Sequence, residues 1–296
     1  MSLYTQRLSR HLAAVEQALP DYLPERGHLW DTVAEGMHYA CEGGGKRLRP
    51  VLVMEFAHLC GGDTEAALPF ACAIEMIHSY SLVHDDMPCM DNSPLRRGKP
   101  SVHAAFGEDM ALLTGDGLLT RAFETMLDPR YLRIAPDRAL SAAYTLANGA
   151  GIGGMVGGQT IDLQSEGTPI SMETLVELQE GKTAALLIAA CVMGVQLAGG
   201  DEEKVAAARA FGRELGHGFQ IVDDILDATA DATALGKPVG GDAAAGKSTY
   251  VTLLGLEKAK VLAKERTEAA LAALDAFGSE SEDLRHMTMA LLTRDH

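Results

Sequence analysis

Residues 77–91 read Ile-His-Ser-Tyr-Ser-Leu-Val-His-Asp-Asp-Met-Pro-Cys-Met-Asp, an apolar run that ends in Asp85, Asp86 and Asp91. The apolar pattern begins far upstream, and residues 64–87 are predicted to form one long, apolar helix. A second stretch, Phe219-Gln220-Ile221-Val222-Asp223-Asp224-Ile225-Leu226-Asp227, repeats the theme 138 positions later (223 minus 85). An adjacent pair of aspartates is by itself an ordinary solvated helix end. Two pairs, each closing a strongly apolar helix, describe instead a cavity with an acidic rim. Asp223 and Asp227 are four apart and share one helical face. Carboxylates crowded in this way are costly unless a cation joins them, and oxygen ligands suit Mg²⁺. Asp85 and Asp91 are six apart and diverge on an ideal helix, but Pro88 breaks the helix and lets them converge.

Outward from these stretches the pattern is helix after helix. Helices are predicted at 3–19, 29–41, 48–60, 64–87, 101–127, 138–151, 154–165, 171–199, 202–228, 247–275 and 281–294. Gly43-Gly44-Gly45 and Gly61-Gly62 act as stops, and loops fall at 128–137 and 233–246. No alternating run with hairpin turns is evident. The low aromatic content of 5% and the abundance of Ala and Leu point the same way. The fold class expected is all-α, with residues 1–296 as a single domain, since no compositional break divides the chain.

Composition also excludes. A formal net charge of −16 argues against nucleic acid and anionic lipid as partners. The most apolar run, Thr183 to Ala198, is shorter than the ~20 residues of a membrane span and reads as a helix buried on all sides. No signal core is visible at the N-terminus. The five cysteines contain no CxxC pair, so neither a disulfide framework nor a zinc ribbon is expected, and the protein is expected to be cytoplasmic.

Within this acidic chain the local basic clusters carry information. Gly44-Gly45-Lys46-Arg47-Leu48-Arg49-Pro50 places Lys46 and Arg49 three apart, and Arg96-Arg97-Gly98-Lys99 follows the first acidic motif. Basic and acidic runs side by side suggest a polyanion held by metal on one side and by Arg on the other. Gly241 to Ser248 fits the pattern GxxxxGK[ST], but the preceding segment is no strand, so nucleotide binding is not expected there. Lys237 and Lys247 remain candidate phosphate contacts.

Taken together, GGGKRLRP at 43–50, IHSYSLVHDDMPCMD at 77–91, LRRGKPSVH at 95–103, LLTGDGLL at 112–119, GMVGGQTIDL at 154–163, GKTAALL at 181–187, FQIVDDILD at 219–227 and GKPVGGDAAAGKSTY at 236–250 resemble the bacterial-type farnesyl and geranylgeranyl diphosphate synthases. The resemblance to this trans-prenyl diphosphate synthase family runs from about residue 28 to 256 and implies the isoprenoid-synthase helical bundle around a deep cavity, as a homodimer. It implies that Asp85, Asp91 and Asp223 bind Mg²⁺, three ions per site, with Asp86 among the metal-binding residues and Asp224 and Asp227 nearby. It implies that Lys46, Arg49, His78 and Arg97 hold isopentenyl diphosphate. Arg96, Lys182, Thr183, Gln220 and Lys237 would then hold the allylic diphosphate, with Lys182, Thr183 and Gln220 closest to the chemistry. The implied reaction ionises the allylic C–O bond, adds the isopentenyl double bond and loses a proton to the released diphosphate. His78 lies seven residues before Asp85, on nearly the same helical face, which suits a site role. His84 reads as structural.

Three features depart from the family pattern. Asn92-Ser93-Pro94 follow Asp91 where many relatives are acidic, Gln179-Glu180-Gly181 precede Lys182 without the family's histidine, and the C-terminus is less basic. Product length is expected to follow the residues before the first motif. Tyr80 lies five residues before Asp85, about 7.5 Å down the helix, and Ser81 lines the next step. A bulky residue at that place resembles the farnesyl-producing type, so a C15 product is expected. The alternatives are a geranylgeranyl (C20) synthase and a non-catalytic regulatory subunit, although a regulatory subunit should have lost one acidic motif. A terpene cyclase would not need the GGGKRLRP segment, and a metal-buffering protein would not need the Arg and Lys clusters.

Overall fold

The apolar runs fold as helices, as a computed structural model describing residues 3–229 and 247–293 shows. In chain order they are α1 (Gln6–Tyr22), α2 (Asp31–Glu42), α3 (Leu48–Leu59), α4 (Thr64–Asp85), α5 (Val102–Phe106), α6 (Glu108–Leu127), α7 (Pro136–Ala150) and α8 (Met155–Gln164). There follow α9 (Met172–Gln179), a π-helical turn (Glu180–Ala184), α10 (Ala185–Ala198), α11 (Glu202–Thr229), α12 (Tyr250–Leu254), α13 (Leu256–Ala273), a 3₁₀ segment (Leu274–Ser281) and α14 (Glu282–Leu292). Asp63 caps α4, its carboxylate accepting from the amides of Glu65 and Ala66. Gly107 and Gly255 divide what the sequence pattern predicts as single helices over 101–127 and 247–275.

Helices α3, α4 and α10 form the centre. α4 packs on α3 and α6, while α10 packs on α3, α7 and α11. Side chains from every face of α4 and α10 are buried, as their lack of a polar stripe requires. Phe56 of α3 joins Phe211 of α11 and Phe277 of the 3₁₀ segment, with ring centroids 5.5 and 5.2 Å apart. Each such side chain contributes about 1.5–3 kcal/mol by leaving water. Two stretches, Thr64–Asp85 and Met172–Ala198, are long and apolar enough to cross a membrane, but 78% and 61% of their apolar windows are buried within the bundle.

Beside the helices the described residues hold a small hairpin, in which β1 (Leu95–Arg96) pairs antiparallel with β2 (Lys99–Pro100). Two-residue strands carry no alternation to read. Their turn, Arg97-Gly98, has positive φ at both positions (53° and 77°), the geometry that matches the twist of a tight hairpin. The hairpin follows α4 directly and projects Arg96 and Arg97 back over the acidic end of that helix.

Candidate active site

α4 stops at Asp85, and the chain then curls back on itself. The Asp91 amide donates to the Asp85 carbonyl at 2.9 Å, and the Ser93 amide to the Asp86 carbonyl at 3.1 Å. The expected break at Pro88 is therefore real, and it returns Asp91 beside Asp85. The two aspartates part company, because neighbours on a helix end point about 100° apart. Asp85 lines a cavity, and Asp86 is buried beneath the hairpin with both oxygens taken by Arg96, Oδ2 at 3.0 Å from Nε and Oδ1 against Nη2. Asp86 and Arg96, expected as a metal ligand and an allylic-diphosphate contact, thus face each other here, and neither lines the cavity that Asp85 lines. Each neutralises the other, and the pair fixes the hairpin.

Arg97, at the hairpin tip, donates to the Gly44 carbonyl and lies against Gly45. That contact closes one wall of a cavity of about 510 Å³ lined by Lys46, Arg49, His78, Arg97, Thr183 and Phe219, among others. Four residues assigned to isopentenyl diphosphate thus meet in one space. Arg47 between them turns inward, paired with Glu75 at 2.7 Å and Glu16 at 3.3 Å. Lys46 sits 5.5 Å above the Phe219 ring. Arg49, which lines this cavity, keeps a buried Nε with no hydrogen-bond partner, a donor that the protein itself leaves unsatisfied. Burial holds the Arg49 and Arg97 guanidiniums below their ordinary values, despite Glu75. Burial and the facing arginines 49, 97, 96 and 47 hold His78 well below 6.5, so it is a neutral imidazole at pH 7.

A second cavity, about 360 Å³, adjoins the first and shares Arg49, His78 and Thr183 with it. Its volume lies in the range of small-molecule sites, about 300–1,000 Å³. Its rim carries Asp85 and Lys182, and its walls carry Met155, Val156, Leu163 and Leu186. Tyr80 is buried at its edge, its ring edge-on to His84 at 5.8 Å, and Ser81 lines it beside Tyr80. The Ser81 hydroxyl donates to the His78 carbonyl at 2.8 Å. A third, smaller space of about 140 Å³ is bounded by Lys182, Thr183, Gln220, Asp224 and Lys247. Thr183 borders all three.

The reach of Lys182 and Thr183 comes from the π turn. Gly158 of α8 lies so close to this turn that a Cβ would sit 2.0 Å from the Lys182 amide nitrogen. Across that contact Lys182 Nζ donates to Asp162 Oδ2 at 2.5 Å, and Gln159 Nε2 to Asp85 Oδ1 at 2.6 Å. Gln159 and Asp162 were not singled out from the sequence, although their spacing of three on one helical face could have found them. Burial raises the Asp85 carboxyl above its ordinary value. Asp91 and Asp162 raise it further, against the opposing Lys182 and Arg96. Burial alone would lower Lys182, but Asp85, Asp162 and Asp91 hold it above its ordinary value. The Thr183 hydroxyl donates to Gln179 Oε1 at 2.9 Å, with the Gln220 carbonyl oxygen 3.5 Å away, and the Gln220 amide donates to Asp224 at 3.0 Å. Asp224 is buried against the Tyr250 amide, at 2.8 Å, while Asp223 and Asp227 are partly accessible on α11. Asp91 is exposed. Lys237 lies outside the described residues, as do most of residues 241–248.

Among the described residues no three His, Cys, Asp or Glu side chains make a closed metal cage. The donor set of carboxylate oxygens on a cavity rim suits Mg²⁺, which is commonly shared between one or two carboxylates and a substrate phosphate.

Residues 31–288 match the polyprenyl synthetase family. The chain belongs to this family. It is 47% identical over 264 residues to geranylgeranyl pyrophosphate synthase 3, chloroplastic, of Arabidopsis thaliana, covering 88% of this chain and 73% of that protein. Its fold matches an FPP/GFPP synthase of Zymomonas mobilis with a TM-score of 0.86 and 38% identity, over 96% of this chain and 97% of the other. It matches a geranyltransferase of Helicobacter pylori, solved with magnesium and isoprenyl diphosphate, with a TM-score of 0.84 and 34% identity, over 99% and 98% of the two chains. This polyprenyl synthetase therefore has the all-α isoprenoid-synthase fold and is a trans-prenyl synthase.

Proposed function

We propose that the protein joins isopentenyl diphosphate to dimethylallyl and geranyl diphosphates and releases farnesyl diphosphate, with three Mg²⁺ ions per site. The observation that carries this reading is the junction of two cavities at Arg49, His78 and Thr183, one with a cationic wall and one with an apolar wall and an acidic rim. Lys46, Arg49 and Arg97 hold the diphosphate of isopentenyl diphosphate, and neutral His78 contributes hydrogen bonding without adding charge. Asp85, Asp91 and Asp223 hold Mg²⁺, whose charge supports departure of the allylic diphosphate. Lys182 and Lys247 add positive charge on the same side, and the Thr183 and Gln220 oxygens face the carbon that becomes cationic. Met155, Val156, Leu163 and Leu186 keep water from it.

The buried Tyr80 ring at the edge of the second cavity supports termination at C15. Identity to a geranylgeranyl synthase favours the second reading, a C20 product. We also read the protein as a homodimer, because Leu112 and Leu113 on α6 and Leu140 and Tyr144 on α7 are exposed apolar side chains. All five cysteines are unpaired, which suits a reducing cytoplasmic setting. The test is to supply Mg²⁺, labelled isopentenyl diphosphate and dimethylallyl diphosphate and to size the dephosphorylated products. A C15 alcohol is expected. A C20 alcohol would establish the second reading, and absence of condensation with any allylic primer would reject both.

A further inference from the structure

The π turn that carries Lys182 and Thr183 is held from behind by a group that touches neither cavity. Glu180 opens the turn, and its carbonyl accepts from the Ala185 amide in the five-residue bond that widens it. A π turn gives up regular helical bonding, and such turns recur at functional sites. The Glu180 side chain leaves the site and accepts from His217 Nε2 at 2.7 Å and from Arg213 Nε at 2.9 Å. His217, on α11, is 4% exposed. Its other nitrogen, Nδ1, lies 3.2 Å from the Tyr250 hydroxyl.

Both ring nitrogens are thus engaged, Nε2–H donating to the carboxylate and Nδ1 placed against the phenol oxygen. Burial, with Asp224 and Glu180 nearby, pushes Tyr250 up to about 12, so its O–H is present to donate. Burial alone would raise Glu180, but the bonds from His217 and Arg213 hold it below its ordinary value.

The chain of contacts then closes. The Tyr250 amide donates to Asp224, Asp224 accepts from Gln220, and the Gln220 carbonyl oxygen lies 3.5 Å from the hydroxyl of Thr183, three residues after Glu180; that hydroxyl donates to Gln179 at 2.9 Å. His217 thus sits at the hub of a ring that ties the π turn to the helix bearing the second acidic motif and to the start of α12.

We propose that His217 is a positioning residue for the allylic-diphosphate grip, fixing Lys182 and Thr183 through Glu180 and holding Asp224 and Gln220 through Tyr250. The inference rests on the reading of Lys182 and Thr183 as that grip. It predicts a defect mainly in the allylic substrate, because the cationic side chains of the isopentenyl cavity, Lys46, Arg49 and Arg97, stand on other elements, although Thr183 borders both spaces.

The experiment compares full-length wild type with His217→Leu, His217→Gln and Lys182→Ala. It measures KM for geranyl diphosphate and for isopentenyl diphosphate, each with the other saturating, together with kcat and Tm. For His217→Leu, kcat/KM for geranyl diphosphate should fall about tenfold, the scale of one hydrogen bond to a charged group. KM for isopentenyl diphosphate should stay within about twofold. His217→Gln, which can still donate to Glu180, should recover most of the loss. Unchanged constants in His217→Leu would overturn the inference, as would a parallel loss in both substrates with a lowered Tm, the mark of a merely structural role. If Lys182→Ala left the geranyl constants unchanged, the grip assignment itself would fall, and that failure is distinguishable because it does not involve His217.

Discussion

Replacing Gly158 with alanine tests whether close backbone contact aims Lys182. The added Cβ would lie 2.0 Å from the Lys182 amide nitrogen and 2.6 Å from the Gly181 carbonyl carbon. Both atoms are backbone, so no side-chain rotation relieves the overlap. Reaching an ordinary contact of 3.4 Å requires α8 and the π turn to separate by 3.4 − 2.0 = 1.4 Å. That displacement stretches the 2.5 Å Lys182–Asp162 bond and shifts Lys182 relative to Asp85. A misplacement of about 1 Å at a reacting centre costs on the order of 100-fold in rate. Overpacking of this kind costs about 1–3 kcal/mol of stability, which is a Tm drop of roughly 2–10 °C in a chain of this size. Gly158→Ala should therefore keep its helical circular dichroism, melt several degrees lower and lose about 100-fold in kcat. Steady-state turnover and a thermal melt measure both quantities. Wild-type turnover with an unchanged Tm would refute the idea that this contact sets the geometry of Lys182.

Further perturbations give sharp expectations. Asp86→Ala leaves Arg96 without its partner. Because Arg96 is partly exposed, the cost should be about 1–3 kcal/mol, below that of a fully buried pair, with the hairpin loosened and KM for isopentenyl diphosphate raised. His78 binds its proton less readily in the folded chain than its ordinary 6.5. The stability it contributes is therefore present above pH 6.5 and lost as pH falls, by at most about 1.4 kcal/mol per unit. Denaturant melts between pH 7 and 5 should be less pH-dependent for His78→Asn than for wild type. Tyr80→Ala should lengthen the product by at least one isoprene unit, read by product sizing, and an unchanged product would remove Tyr80 from the floor.

Much of this structure was legible because buried helices announce themselves. The 64–87 and 202–228 patterns correspond to α4 and α11 within two residues, since an apolar helix needs burial whatever its neighbours are. The grouping of Lys46, Arg49, His78 and Arg97 was implied by the family resemblance, and the four line one cavity. What escaped was set by tertiary contact. Residues 171–199 read as one helix, because nothing local marks the widening at Glu180; the turn depends on Gly158 across the interface and on His217, 37 residues downstream of Glu180. The different fates of Asp85 and Asp86 were equally invisible, because identical adjacent residues are separated only by where the helix stops. Gln159 was overlooked although it lay inside a quoted segment, because its partner Asp85 is 74 positions away.

The central claim is that two diphosphate grips meet at Thr183, one built on the hairpin and the GGGKRLRP loop and one on the π turn. The direct measurement is the pair of Michaelis constants in Arg97→Ala and Lys182→Ala. Arg97→Ala should raise KM for isopentenyl diphosphate roughly tenfold or more and leave that for geranyl diphosphate nearly unchanged, and Lys182→Ala should do the reverse. If both variants weakened the same substrate, or each weakened the two equally, the two cavities would not be separate substrate sites and the account would be wrong.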